Sequence, residues 1–384
     1  MQIEGVDPGL RIGFRKLKGL PSLLDSMQYS PLPLGTNALS ASSGIPMATV
    51  SRSISKLVKL GVRVRVDYNL NDLDLKLVVM EVDSMWRPGE GDLPLKHWIS
   101  SAFNTLNGTF FLAYRVPREM SLAEVTKIVQ ARLGGERRIL YAEEYRNTMM
   151  AKPSFQYYMK VTGGNINPKV ALKVAQDHPR NEYNRLDTLL KPRRPPGFRV
   201  TKDMIDLIIL SLAEVDSLTL KRRLYRLLHL HAHKEYRVKA EKHIAHTNKI
   251  VRGNRVMASD KKNNLFIGIG VQGDEKCVEE MTTMMLAYFY AYSIAYDKGK
   301  AFYVISMPHS YVHDLIMSLD NLCNLDPPVK PKFKLIPFSL NGFVARMSVP
   351  YRNYDFLKKS WVTDERILDI MSERIRKKYP VDLL

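Results

Sequence analysis

Six of the nine histidines in this chain stand at His178, His229, His231, His233, His243 and His246, and imidazole at that density raises metal or tetrapyrrole chemistry first. His229 and His233 are one helical turn apart, a spacing that can chelate zinc. Yet the only cysteines are Cys277 and Cys323, acidic ligands nearby are sparse, and His231 points to another side of the same helix. Surface or groove-lining histidines are therefore expected, with no metal. Other catalytic spacings are missing as well: no glycine loop to cradle a phosphate, no nucleophile elbow, no convincing carboxylate pair. The expectation is a protein with no catalytic residues and no resident cofactor, not an enzyme.

A different chemistry is written into Leu34–Val66, LGTNALSASSGIPMATVSRSISKLVKLGVRVRV. Thr36–Ser43 reads as a short helix with Leu39 inward, Gly44 as the left-handed residue of a sharp turn, and Ile45 as the plug at the corner. A second helix starts near Pro46, whose fixed φ suits a first helical turn. Val50, Ile54, Leu57 and Val58 recur at three- and four-residue spacing and are expected to face a core. The opposite face offers Thr49, Ser51, Arg52, Ser53, Ser55, Lys56 and Lys59, small hydroxyls around an arginine, which lets a helix sink into a major groove. After Gly61, Val62–Val66 alternates apolar and basic residues, as a wing strand would with Arg63 and Arg65 on its outer face. From Ser26 to Val66 there is no aspartate or glutamate. A solvated helix face normally mixes signs, so a single-sign face points to a polyanion, here double-stranded DNA. The rival reading is a winged helix retained for packing or protein contact.

A second helical unit follows later in the chain. Thr201–Val215 is amphipathic, with Ile205, Ile208, Ile209 and Leu212 as its stripe and Thr201 and Asp203 as caps; further helices are expected at about 218–233 and 236–251. No Gly-Ile turn occurs there. Lys221, Arg222, Arg223, Arg226, Arg237 and Lys242 take its place, a density that favours phosphate contact over base reading. A structural helical subdomain made soluble by its cations is the equal alternative.

The elements that must position these helices alternate strand and helix. Leu75–Val82 has the length and content of a buried strand, Leu93–Phe103 has helical spacing, Thr109–Val116 reads as a strand, and Ser121 with Glu124 forms a capping-box signature for a helix to Leu133. Arg138–Tyr145 closes the series. The order recurs as strand 264–271, helix 274–286, strands 288–296 and 300–306 around an Asp297–Gly299 turn, helix 310–322 and strand 332–338, giving βαββαβ. In the first copy the second strand is weak and falls within Ser100–Leu106. The expected fold class is α+β: a winged helix-turn-helix over 1–74, a βαββαβ domain over 75–150, a linker over 151–198, a second basic helical unit over 199–262, a second βαββαβ domain over 263–350 and a helical tail over 351–384. The linker ends in Lys191-Pro192-Arg193-Arg194-Pro195-Pro196-Gly197, stiff and solvated.

Composition sets the outer limits. Its 384 residues, 45% of them hydrophobic, suffice for several cores. Lysine and arginine number 58 against 39 acids, a formal charge of +19, which suits nucleic acid or an anionic surface. The apolar run Met281–Tyr296 is too short to span a bilayer and reads as a helix end plus a strand. Glu4, Asp7, Arg11 and Arg15 interrupt any signal-peptide core. Two cysteines suit a reducing interior. The expectation is a cytoplasmic, nucleoid-associated protein without membrane contact.

Leu39, Gly44-Ile45, Thr49-Val50-Ser51-Arg52, Ile54, Leu57 and Gly61-Val62 together resemble the DNA-reading unit of prokaryotic winged-helix regulators. Followed by βαββαβ, they resemble the leucine-responsive regulator (Lrp/AsnC, feast/famine) family, abundant in archaea. The resemblance implies a transcriptional regulator whose βαββαβ (RAM-like) domains pair through their sheets, take an amino acid or similar small effector between them, and support homo-oligomers. Members of that family are usually less than half this length. This chain looks like a dimer fused in tandem, an intrachain pseudo-dimer. Siroheme decarboxylases resemble the same architecture and supply the enzymatic alternative; an architectural or ribosome-associated basic protein is a third.

Overall fold

A computed structural model describes residues 2–3, 19–87, 92–133, 137–163, 165–177, 185–191, 203–227, 234–257, 265–321, 331–346 and 348–378. Residues 192–197 of the basic proline run, Thr201, Cys323, the first histidines of the cluster (His178, His229, His231, His233) and the early charges Glu4 to Arg15 lie outside them.

After the two extended residues Gln2–Ile3 come three helices: α1 (Leu20–Tyr29), α2 (Thr36–Ser43) and α3 (Met47–Lys59). Leu20, Leu23, Leu24 and Met27 of α1 meet Leu39 of α2 and Val50 and Leu57 of α3 in one core. Gly44 ends α2 at φ 71°, the left-handed conformation the sharp turn requires. A strand, β1 (Arg63–Tyr68), follows.

The first βαββαβ unit is β2 (Leu75–Val82), a 3₁₀ turn at Lys96–Trp98, β3 (Ile99–Thr105), β4 (Phe110–Pro117), α4 (Leu122–Leu133) and β5 (Ile139–Tyr145). The helix expected over Leu93–Phe103 is thus a single turn followed by a strand. Its apolar positions are satisfied by β3 pairing with β4 on one side and with a strand of the second unit on the other, so sheet pairing overrides local helical spacing. Ser121 and Glu124 do form the reciprocal cap: the Ser121 backbone N–H donates to Glu124 Oε2 at 2.7 Å and the Glu124 N–H to Ser121 Oγ at 3.2 Å.

Residues 151–198, expected as a linker, instead carry α5 (Phe155–Thr162), α6 (Pro168–Gln176) and α7 (Leu186–Leu190), after the short strand β6 (Asn147–Met150). Tyr158, Ala171, Leu172 and Leu186 are buried, so apolar burial shapes the described part of this stretch, 151–163, 165–177 and 185–191. The second helical unit is α8 (Met204–Asp216), α9 (Leu220–Leu227) and α10 (Lys234–Thr247), followed by β7 (Val251–Met257). The second βαββαβ unit is β8 (Leu265–Gln272), α11 (Glu275–Ala287), β9 (Ala291–Asp297), β10 (Lys300–Met307), α12 (Val312–Asn321) and β11 (Lys332–Arg346). Cys277, buried on α11, is disulfide-bonded, which departs from the reduced state expected. The chain continues to α13 (Glu365–Lys378).

Both units have ferredoxin-like strand order, and they merge into one nine-stranded sheet, β5-β2-β4-β3-β11-β8-β10-β9-β6. Its two halves face each other. Phe111 stacks on Phe302 with ring centroids 5.7 Å apart, and Val79, Tyr145, Ile336 and Phe338 share that core. Lys300 reaches Glu143 at 2.8 Å and Lys334 reaches Glu81 at 2.6 Å around it.

The two helical units are tied by the strands that follow them. β1 pairs antiparallel with β7, from Arg63 opposite Met257 to Tyr68 opposite Val251. Under this ribbon Lys152 Nζ lies 2.5 Å from Asp67 Oδ2, both almost fully buried, and donates to the Arg252 carbonyl at 2.9 Å. Among the described residues no helix is long and apolar enough to cross a membrane.

Candidate nucleic-acid interface

Helix α3 stands on the aliphatic residues that the 3.6-residue period selects. Val50 and Leu57 are fully buried and Ile54 is half-buried against the same core. Ser53 joins them at 3% exposure, so it does not belong to the outer face where sequence reasoning placed it. Val58, expected inside, is 42% exposed. Both corrections have one cause: α3 is rotated so that the buried stripe runs through positions 50, 53 and 57, three and four residues apart, and position 58 falls beyond its edge.

Ser51, Arg52, Ser55, Lys56 and Lys59 are exposed on the opposite face, with Thr49 half-buried at its margin. Arg52 is held by its own helix alone: Nε donates to the Ala48 carbonyl at 3.3 Å and an Nη to Thr49 Oγ1 at 3.4 Å. Ser55 Oγ donates to the Ser51 carbonyl at 3.0 Å. Long, exposed contacts of this kind are readily exchanged for a ligand. The turn beneath is firmer. Ser40 Oγ donates to the Ile45 carbonyl at 2.6 Å, and Ser22 Oγ of α1 donates to the Ser43 carbonyl at 2.9 Å, so α2 and α3 are presented as one rigid corner.

The basic strand departs from expectation. Val62 to Val66 does not turn back as a wing hairpin; its partner is β7 of the second half, because Val64 and Val66, both 0% exposed, need cover that a two-stranded wing in solvent would not give. Arg63 remains exposed. Arg65 does not, and burial lowers its pKa, with Glu214 opposing the shift; its Nε has no hydrogen-bond partner. Arg65 is therefore removed from the outward-facing set. Glu214 of α8 is itself held by Arg115, whose two nitrogens donate to it at 2.8 and 2.6 Å.

The second basic set lies on α9 and α10. Arg222, Arg226 and Lys242 are exposed. Lys221 is exposed but pairs with Glu241 at 3.2 Å. Arg223 is half-buried, and desolvation lowers its pKa; the Asp216 carboxylate opposes the shift, and the like charges of Arg226 and Arg63 add to it. Arg63 of the first half and Arg223 of the second are thus electrostatic neighbours, a juxtaposition that sequence alone could not supply. Arg237 lies on α10, its side chain outside the described residues. Of the histidine cluster, His243 and His246 both face Asp206, at 3.0 and 2.8 Å.

No family model matches this chain, and no curated protein sequence matches it. Its fold is similar to the crystal structure of the siroheme decarboxylase NirDL, at 11% identity and a TM-score of 0.44, over 94% of this chain and 100% of that one. It is also similar to that of the siroheme decarboxylase NirDL in co-complex with an iron-uroporphyrin III analogue, at 12% identity and a TM-score of 0.43, over 93% and 100% of the two chains. Both are structures of enzymes, and on that finding the expectation that this chain is not an enzyme is withdrawn.

Proposed function

We propose that this protein binds double-stranded DNA, with α3 entering the major groove and the cations of α9 and α10 holding the phosphate backbone. One observation carries the reading: Ser51, Arg52, Ser55, Lys56 and Lys59 form an exposed face without an acid, while the reverse of the same helix is anchored by Val50 and Leu57. Hydroxyls and a long cation are the side chains that approach base edges without steric obstruction. Arg63 of the first helical unit and Arg223 of the second lie within electrostatic range of each other, with Asp216 as the nearby acid, and exposed cations such as Arg63, Arg222 and Arg226 bind phosphate irrespective of sequence. A regulator of transcription, taking a small effector such as an amino acid between its ferredoxin-like units and acting at the nucleoid, is the finer form of the reading.

The test is selection of bound sequences from a random duplex pool by the full chain, followed by anisotropy titration of the selected site. Arg52→Ala should lose about 1–3 kcal/mol of discrimination. Arg222→Ala should instead weaken all sequences alike and reduce the salt slope by about one. The same preparation is to be incubated with siroheme and followed by absorbance, since decarboxylation of siroheme is the activity in the name of the similar solved structures. Turnover of siroheme with no duplex affinity at low salt would replace the reading.

A further inference from the structure

Asp203, Asp206 and His243 converge where the first turn of α8 meets α10. Asp203 caps α8 through Oδ1, which accepts the Asp206 backbone N–H at 2.9 Å. Its other oxygen, Oδ2, lies 3.2 Å from His243 Nδ1. Asp206, 4% exposed, places Oδ1 3.0 Å from the same nitrogen and Oδ2 2.8 Å from His246 Nδ1. One donor atom from each of Asp203, Asp206 and His243 lies within 4.8 Å of the other two.

These spacings suit coordination. A zinc-class ion bonded at about 2.0–2.2 Å to each of three atoms in tetrahedral array holds those atoms about 3.3–3.6 Å apart, within a few tenths of an ångström of the distances from His243 to the two carboxylates. The set is mixed, with oxygen from one helix and imidazole nitrogen from another, the combination such ions prefer over the all-oxygen sites of calcium and magnesium. Two carboxylates share the site, one of them buried, so a cation held there meets negative charge that water screens little.

We propose that Asp203, Asp206 and His243 bind one divalent transition-metal ion of the zinc class, water completing its shell, with His246 donating to Asp206 Oδ2 and orienting that carboxylate. The ion fastens α8 to α10 and so fixes the helix that carries Lys242. His246 is a positioning residue in this arrangement, as hydrogen-bonded partners of metal-bound groups commonly are.

The experiment uses the untagged full chain, stripped with a chelator and titrated with zinc chloride by calorimetry and by thermal unfolding. About one zinc per chain is expected, with the unfolding temperature rising with zinc concentration. Asp203→Asn and His243→Ala should each weaken zinc at least tenfold, and His246→Gln about tenfold. Cobalt(II) bound to the parent protein should show ligand-field bands that change in His243→Ala. No zinc uptake by the parent chain at micromolar concentrations would overturn the proposal, and so would uptake that persists unchanged in both Asp203→Asn and His243→Ala, which would move the binding to the histidines between 229 and 233.

Discussion

Arg52 and Ser53 are neighbours in the chain that meet opposite surroundings. Arg52 is exposed and bonded only to its own helix, whereas Ser53 is 3% exposed. Replacing Ser53 by Lys should therefore force a charge into packed space and destabilise the protein by at least about 1–3 kcal/mol, seen as a fall in the denaturant midpoint. Ser55→Lys, on the exposed face, should stay within about 0.5 kcal/mol of the parent. A second residue-scale prediction concerns Glu124, whose pKa is lowered by hydrogen bonds from the Ser121 backbone and then its side chain. A carboxylate lowered in the folded state lends stability above the ordinary glutamate range and loses it as pH falls through the folded value. An NMR titration should find the Glu124 midpoint below that of an ordinary glutamate, and Ser121→Ala should move it back toward it. The capping box was legible in sequence because both partners lie within one turn. Ser53 was not, because seven small or basic residues on one helix do not reveal which edge the core will claim.

At the scale of elements, α3 depends on its aliphatic reverse side. Leu57→Ala should cost about 2–5 kcal/mol and abolish selected-site binding, while Lys59→Ala should reduce affinity with the fold intact; circular dichroism and anisotropy separate the two. The β1–β7 ribbon has a narrower tolerance. Gly253 has φ 120°, and a Cβ there would stand 2.4 Å from the Gln28 carbonyl oxygen, a backbone atom of α1 that has little room to retreat. Gly253→Ala should destabilise the protein by more than about 1 kcal/mol, since the positive φ and the clash both oppose it, read as a lower midpoint of chemical unfolding. Element boundaries followed the sequence where burial and pattern agreed: Leu75–Val82 is a strand to the residue, and the Asp297–Gly299 turn carries Gly299 at φ 69°. They failed at Leu93–Phe103 and at the wing, where the strand's partner lies in the other half of the chain.

Taken as a whole molecule, the two halves are mutually dependent. β1 has its partner in β7, β3 in β11, and β6 extends the second unit from the first. Expressed separately, residues 1–198 and 199–384 should each expose Val64, Val66 or the Phe111–Phe302 interface and aggregate or self-associate, whereas co-expressed halves should elute together on size exclusion. A short N-terminal fragment is for the same reason a poor test of DNA affinity. Sequence by itself determined the α+β class, the second βαββαβ series, most of the first and the helix-turn-helix corner, because capping, glycine turns and apolar period act over a few residues. Tertiary structure decided which cations remain in solvent, that residues 155–162, 168–176 and 186–190 of the expected linker are helices with buried faces, and that His243 and His246 meet Asp206 rather than one another's neighbours in the tract. Those outcomes follow from contacts between residues far apart in the chain, whose energy comes from burial and charge pairing that no local pattern encodes.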